Sequence, residues 1–177
     1  MVNQQADRIG RALLERGLTI AVAEADTAGY VGHLLCSPPG ASRYFPGGII
    51  AYASDSKTRV LGVRPEAWKR HGSVSREIAS EMARRARELM NTDIGLSTTG
   101  IAGPTGGTPE RPVGTFWVAL SARDGTEVAV EHRWPSADRM ANKRRASRAV
   151  LRLVEEYLGL VRARPRPGSP QPGRGST

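Results

Sequence analysis

Apolar residues recur along this chain with two periods, near 3.6 and near 2, and their alternation lays out the expected elements. Over residues 4 to 16, Ile9, Ala12, Leu13 and Leu14 stand among charges at helical spacing and Gly17 ends the run, which predicts an amphipathic helix. The near-continuous apolar run Leu18 to Glu24 reads as a buried strand. A polar turn, Ala25-Asp26-Thr27, then opens a helix from about Ala28 to Leu35, with Asp26 or Thr27 as its expected cap. Gly47 to Tyr52 reads as a second strand. A short helix carrying Lys57 follows, capped by Ser54 or Asp55 and closing near Gly62, with another helical piece after Arg64-Pro65. Ser75 is placed to cap a helix from Arg76 to about Met90, with Ile78, Met82, Ala86 and Leu89 on its inner face. Asp93 to Thr99 reads as a third strand. Val113 to Leu120 and Thr126 to Trp134 flank the turn signal Arg123-Asp124-Gly125, and the alternation in the second marks a half-exposed edge strand. A last helix starts at Ser136 or Asp138 and runs to about Tyr157, with Ala146, Val150, Leu151, Val154 and Leu158 facing inward.

Strands that alternate with helices early and form a hairpin late imply an α/β protein, a three-layer α/β/α sandwich on a mixed sheet. Residues 1–160 make its single domain, and the Arg, Pro and Gly-rich residues 161–177 read as a disordered tail. In such a sandwich the loops at 25 to 29, 47 to 57 and 99 to 107 converge beyond the carboxyl ends of the strands.

The third of these loops carries the strongest signal. Between Thr99 and Thr115 stand five glycines, Gly100, Gly103, Gly106, Gly107 and Gly114, with three prolines that limit their freedom. Glycine lets backbone N–H groups approach an anion or a carbonyl closely, so this reads as a ligand cradle rather than a solvated hairpin loop. It lacks the Gly-Lys-Ser/Thr of a phosphate-binding loop and the Gly-x-Gly-x-x-Gly of a dinucleotide site.

Composition narrows the classes further. The formal net charge is +9, but Arg162, Arg164, Arg166 and Arg174 of the tail hold four of those charges. Much of the rest falls on Arg139, Lys143, Arg144, Arg145, Arg148 and Arg152 of the last helix, which reads as a solvated face. With two Phe, three Trp and four Tyr there is no aromatic platform for bases, which argues against a nucleic-acid partner. A basic module for nucleic acid or protein stays as an alternative. His33, His71 and His132 have no companions at metal-ligand spacing, so no metal is expected. The lone Cys36, in the apolar run Val31 to Cys36, reads as a buried thiol. No basic region precedes an apolar core at the N-terminus and no run nears membrane-spanning length, so a soluble cytoplasmic protein with no membrane contact is expected.

Six segments carry a specific resemblance: Ala23-Glu24-x-x-Thr27-x-Gly29, Gly47 to Tyr52 with Lys57, Leu61-Gly62-Val63, His71-Gly72-x-Val74-Ser75, Thr99 to Pro104 and Pro112 to Thr115. In order and spacing they resemble the C-terminal domain of the CinA family, which includes PncC-type nicotinamide-nucleotide amidases. The resemblance implies hydrolysis of the carboxamide of nicotinamide mononucleotide to the acid in pyridine-nucleotide salvage. It implies no cofactor, a mononucleotide as small-molecule partner, and self-association into a homo-oligomer. It also implies a nucleophilic serine in an Ala-Glu-Ser-Cys-Thr-Gly-Gly turn, assisted by the residues matching Tyr52 and Lys57. A serine hydroxyl needs a base at neutral pH, and a desolvated lysine supplies one.

The chain departs from that motif at its centre. Ala25 stands at the serine position, Asp26 at the cysteine and Ala28 at the first glycine. A methyl group forms no acyl-enzyme, so the resemblance implies a chain that keeps the pocket and has lost the family's chemistry. The expected pocket takes Glu24, Asp26, Gly29, Gly47, Gly48, Thr99, Gly100, Ala102, Gly103, Gly106 and Gly107 as ligand-binding residues, with Thr27, Tyr52 and Lys57 beside the vacated position. The alternative is a working hydrolase of changed chemistry, in which Asp26 activates a water or Thr27 takes the serine's place. Asp26 and Thr27 are equally open to a capping role, Lys57 to that of a solvated lysine, and Tyr52 to strand-end packing.

Overall fold

In this computed structural model, which describes residues 4–163, every predicted element is present in chain order. They are α1 (Gln4–Arg16), β1 (Ile20–Glu24), α2 (Tyr30–Cys36), β2 (Gly47–Ile50), α3 (Ser54–Arg59), α4 (Pro65–His71), α5 (Arg76–Leu89), β3 (Ile94–Gly100), β4 (Thr115–Ala122), β5 (Glu127–Arg133) and α6 (Arg139–Tyr157). The disorder expected for residues 161–177 falls, from residue 164 onward, outside the described residues.

The strands form one mixed sheet in the order β2-β1-β3-β4-β5. β2, β1 and β3 run parallel, and the β3–β4–β5 ribbon is antiparallel. In register, Glu24 faces Ile50 on one side and Thr98 on the other, so the chain leaves β1, β2 and β3 at the same edge. β5 is an outer strand with no fully buried residue, as its alternation predicts.

Helices cover both faces. Ile20, Val22, Ile94, Leu96, Val118 and Leu120 point to one face and bury against Ile9 and Leu13 of α1, Val31 and Leu35 of α2, and Val150, Leu151 and Val154 of α6. On the other face Ala23 packs with Ile78, Met82 and Ala86 of α5. This second interface is tight because its residues are small. A Cβ built on Gly95 would stand 2.1 Å from the Ala83 carbonyl oxygen, and the Ser97 hydroxyl donates to the Ala79 carbonyl at 2.6 Å. Backbone approach this close leaves no volume for a larger residue at 95.

Local expectations differ from the structure at four places. Leu89 is 54% exposed, because the last turn of α5 leaves the core that Ile78, Met82 and Ala86 enter. Cys36 is exposed as well: Val31, Leu34 and Leu35 take the inner face of α2, and helical rotation turns the next residue outward. The N-cap of α3 is Ala53, with no side-chain bond from Ser54 or Asp55. α2 is capped by neither Asp26 nor Thr27, for the reason given below. Ser75 does accept from the Ile78 N–H, and Asp138 from the Ala141 N–H, as expected.

Candidate functional site

The turn after β1 is held by Glu24. Its buried carboxylate accepts the N–H groups of Gly29 at 2.9 Å, Val31 at 3.1 Å and Gly32 at 2.8 Å, which are the free donors at the start of α2. A long side chain from the preceding strand thus does the work expected of Asp26 or Thr27, and the Glu24 carboxylate is engaged by these donors outside the cavity wall. Thr27 is buried too, and its hydroxyl shares a 2.6 Å hydrogen bond with that of Thr98. Ala25 donates its N–H to the Thr98 carbonyl at 3.0 Å and packs its methyl with Ala51, Leu61, Val63 and Ile78.

Released from capping, Asp26 turns toward the glycine-rich loop. Its Oδ2 accepts the Gly100 N–H at 2.7 Å. Burial raises its carboxyl above the ordinary range, against the opposing pull of that N–H and of the cations Lys57 and Arg139. Lys57, only 4% exposed, shows the converse: burial lowers its ammonium, and the nearby Asp26 charge works against that. Lys57 is therefore no solvated lysine. The alternation of short helix and loop around it gave no sign of its burial.

The loop of residues 101–114 is fastened from several sides. Ile101 and Gly114 close onto the start of β4, Thr99 donates its hydroxyl to the Ser73 carbonyl at 2.8 Å, and Thr108 donates its N–H to the Arg111 carbonyl at 2.9 Å. From α6, the buried Asn142 amide donates to the Ala102 carbonyl at 3.1 Å and Arg139 donates to the Gly103 carbonyl at 2.8 Å. The loop is a built structure whose backbone carbonyls are tied down by side chains.

Between this loop and the strand ends lies a cavity of about 390 Å³. Of the residues expected there, Asp26, Tyr52, Gly100, Ala102, Gly103 and Gly106 reach its wall. Tyr52 is half exposed, beyond the end of β2, and its hydroxyl accepts from Arg139 at 2.5 Å, so it is a wall residue rather than strand-end packing. Gly29 is the N-cap of α2, Thr99 is a buried tether, and Gly107 abuts Val113. Gly47 and Gly48 start β2, away from the edge where the loops meet. Gly48 serves the sheet, since a Cβ there would stand 2.6 Å from a methyl of Val22.

Arg111, Arg139, Ser73 and Thr108 are among further wall residues that the expected set did not include. Arg139 had been grouped with the basic face of α6, but it stands in the first turn of that helix and reaches Tyr52 and Gly103. Its position directly after the capping Asp138 was the only signal. Others on that face are committed as well: Arg152 pairs with Glu156 at 3.0 Å. Arg111 donates to the His71 carbonyl at 2.6 Å, which brings the loop against the end of α4. Among the described residues no helix is long and apolar enough to cross a membrane.

Known proteins are similar to this chain in sequence and in fold. The family model for the CinA C-terminal domain matches residues 2–158. A CinA-like protein of Salinibacter ruber is 46% identical over 152 residues, covering 86% of this chain and 36% of its own length. The chain thus spans about a third of the length of the curated relatives it matches. Among solved structures, a CinA superfamily protein from Klebsiella pneumoniae superposes with a TM-score of 0.83 at 30% identity, covering 89% of this chain and 98% of that one. The competence/damage inducible protein CihA from Agrobacterium tumefaciens gives 0.82 at 29% identity, covering 90% and 98%.

Proposed function

The chain belongs to the CinA C-terminal domain family, and from that membership we propose that it binds a pyridine mononucleotide in the Asp26–Arg139 cavity without hydrolysing it through an acyl-enzyme. The observation that carries the reading is the composition of the wall. Two guanidinium groups, Arg111 and Arg139, and the backbone of Ala102 to Gly106 suit a phosphate, because charge-assisted N–H donors recognise it best. The residue at the nucleophile position of the resembled amidases is meanwhile a buried alanine among apolar neighbours. Lys57 stands near this turn with its proton affinity lowered, as a base for a serine requires, and the chain has no serine there for it to serve. Binding therefore outlives the chemistry, and the domain acts as a nucleotide-responsive element.

A thermal-shift titration of the full chain with nicotinamide mononucleotide, run beside an ammonia-release assay, tests this. Ligand at a hundredfold excess over its Kd adds about 2.7 kcal/mol to the folded state. A raised melting temperature with no ammonia is the expected result, and an unchanged one at millimolar ligand overturns the reading. Ala25→Ser combined with Asp26→Cys and Ala28→Gly should restore ammonia release.

One observation favours a second reading, direct hydrolysis by water. Asp26 is the carboxylate in the wall, and its raised proton affinity suits a group that takes a proton from water as hydroxide adds to the carboxamide carbon. Ammonia would then leave with the proton that Asp26 has taken, which restores the carboxylate. Ammonia release by the natural chain that disappears in Asp26→Ala would establish it. Thr27 has no such support, since its hydroxyl is buried against Thr98.

A further inference from the structure

We infer that Asp26 makes this cavity select a ligand that presents a neutral N–H donor group, such as a carboxamide, over the same ligand ending in a carboxylate. The inference rests on the mononucleotide reading and goes past it by assigning one side chain the choice between the two ends.

The carboxylate of Asp26 is part of the cavity wall, and it is held there. Its Oδ2 accepts the Gly100 N–H at 2.7 Å, so turning the side chain away would leave that N–H in the glycine loop without its partner. An ionised carboxylate has about four lone-pair positions and no donor. The Gly100 N–H fills one, and what remains accepts hydrogen-bond donors and repels a second acceptor.

Charge sets the direction of a bound ligand. Arg111 lies on the wall beside Thr108, to which its own backbone is hydrogen-bonded, and its guanidinium is steadied by the His71 carbonyl. A phosphate is drawn to this cationic part of the wall and repelled by Asp26, so the opposite end of the ligand turns toward Asp26. A carboxamide arriving there brings two N–H donors to a fixed acceptor. A carboxylate brings a second negative charge and acceptors only. Lys57 and Arg139 reduce the difference without removing it, because whatever charge they offer a ligand carboxylate is shared with Asp26. A site built to accept from an N–H discriminates strongly against an analogue that lacks it.

The test is isothermal titration of the full chain with nicotinamide mononucleotide and with its acid, probes that differ only at that end. The natural chain should bind the amide at least about tenfold more tightly than the acid, since like charges brought together are costly. Asp26→Asn should bring the two affinities within about threefold, mainly by strengthening the acid, because the neutral amide can turn a donor toward it. Asp26→Ser is the second variant, and circular dichroism with melting temperature identifies which variants are folded. Equal affinities in the natural chain, a preference for the acid, or a preference unchanged in a folded variant overturns the inference and leaves the mononucleotide reading standing. Binding of neither probe at millimolar concentration overturns that reading and this inference with it.

Discussion

Arg139 donates to the hydroxyl of Tyr52, 87 positions away in the chain, at 2.5 Å, and through its other terminal nitrogen to the carbonyl of Gly103 at 2.8 Å. One guanidinium thus joins the first turn of α6, the chain after β2 and the glycine-rich loop at the mouth of the cavity. A guanidinium carries five N–H donors, so these two bonds do not exhaust it.

Arg139→Met should therefore weaken mononucleotide binding by roughly ten- to a hundredfold, the worth of a charge-assisted hydrogen bond. The melting temperature should fall as well, because the Gly103 carbonyl loses its donor even though the methionine keeps the apolar stem. Isothermal titration checks this, and an affinity within twofold of the natural chain would remove Arg139 from the binding site.

The Asp26 carboxyl, raised by burial, makes stability depend on pH in a defined direction. An ordinary aspartate carboxyl titrates near 3.8 and this one higher, so between the two the folded state holds more proton than the unfolded one. Stability from this group accordingly falls as pH rises through that interval, and the cost is complete above it. Asp26→Asn, which keeps an acceptor for the Gly100 N–H, should raise the unfolding free energy at pH 7, with the gain shrinking as pH falls toward 3.8. Urea unfolding at several pH values measures both; a variant less stable than the natural chain at pH 7 would contradict the assignment.

Glu24 satisfies three N–H groups at the start of α2 while fully buried. Glu24→Ala should cost about 3 kcal/mol, because buried donors are then left unpaired, and Glu24→Gln roughly half of that. Chemical denaturation gives the values. A loss below that of an ordinary exposed cap would show that the three bonds carry little.

Ala28 adopts a φ of +51°, in the left-handed region that glycine occupies without strain. Ala28→Gly should stabilise the fold by roughly 0.5 to 1 kcal/mol, the relief of a left-handed alanine less the added entropy of the unfolded chain. A lower denaturation midpoint in this variant would mean that the methyl makes a contact worth more than the strain.

What the sequence determined by itself follows from local rules. Periodicity placed each helix and strand within a few residues, because which face of an element is apolar depends on 3.6 or 2 residues and on little else. Glycine and proline density marked the loop that borders the cavity, and the motif order gave the family. The site is a different matter, since its functional contacts join residues distant in the chain. Position 26 reads locally as a cap, and becomes a cavity wall only because Glu24 reaches forward to take the α2 donors and Gly100 offers its N–H from β3. Lys57 looks like a surface lysine on a short helix until the folded chain buries it. Arg139 and Arg111 belong to charged stretches whose solvated appearance is correct for most of their neighbours. Local pattern records which residues prefer water, whereas only tertiary packing decides which charges are denied it, as it does for Asp26 and Lys57.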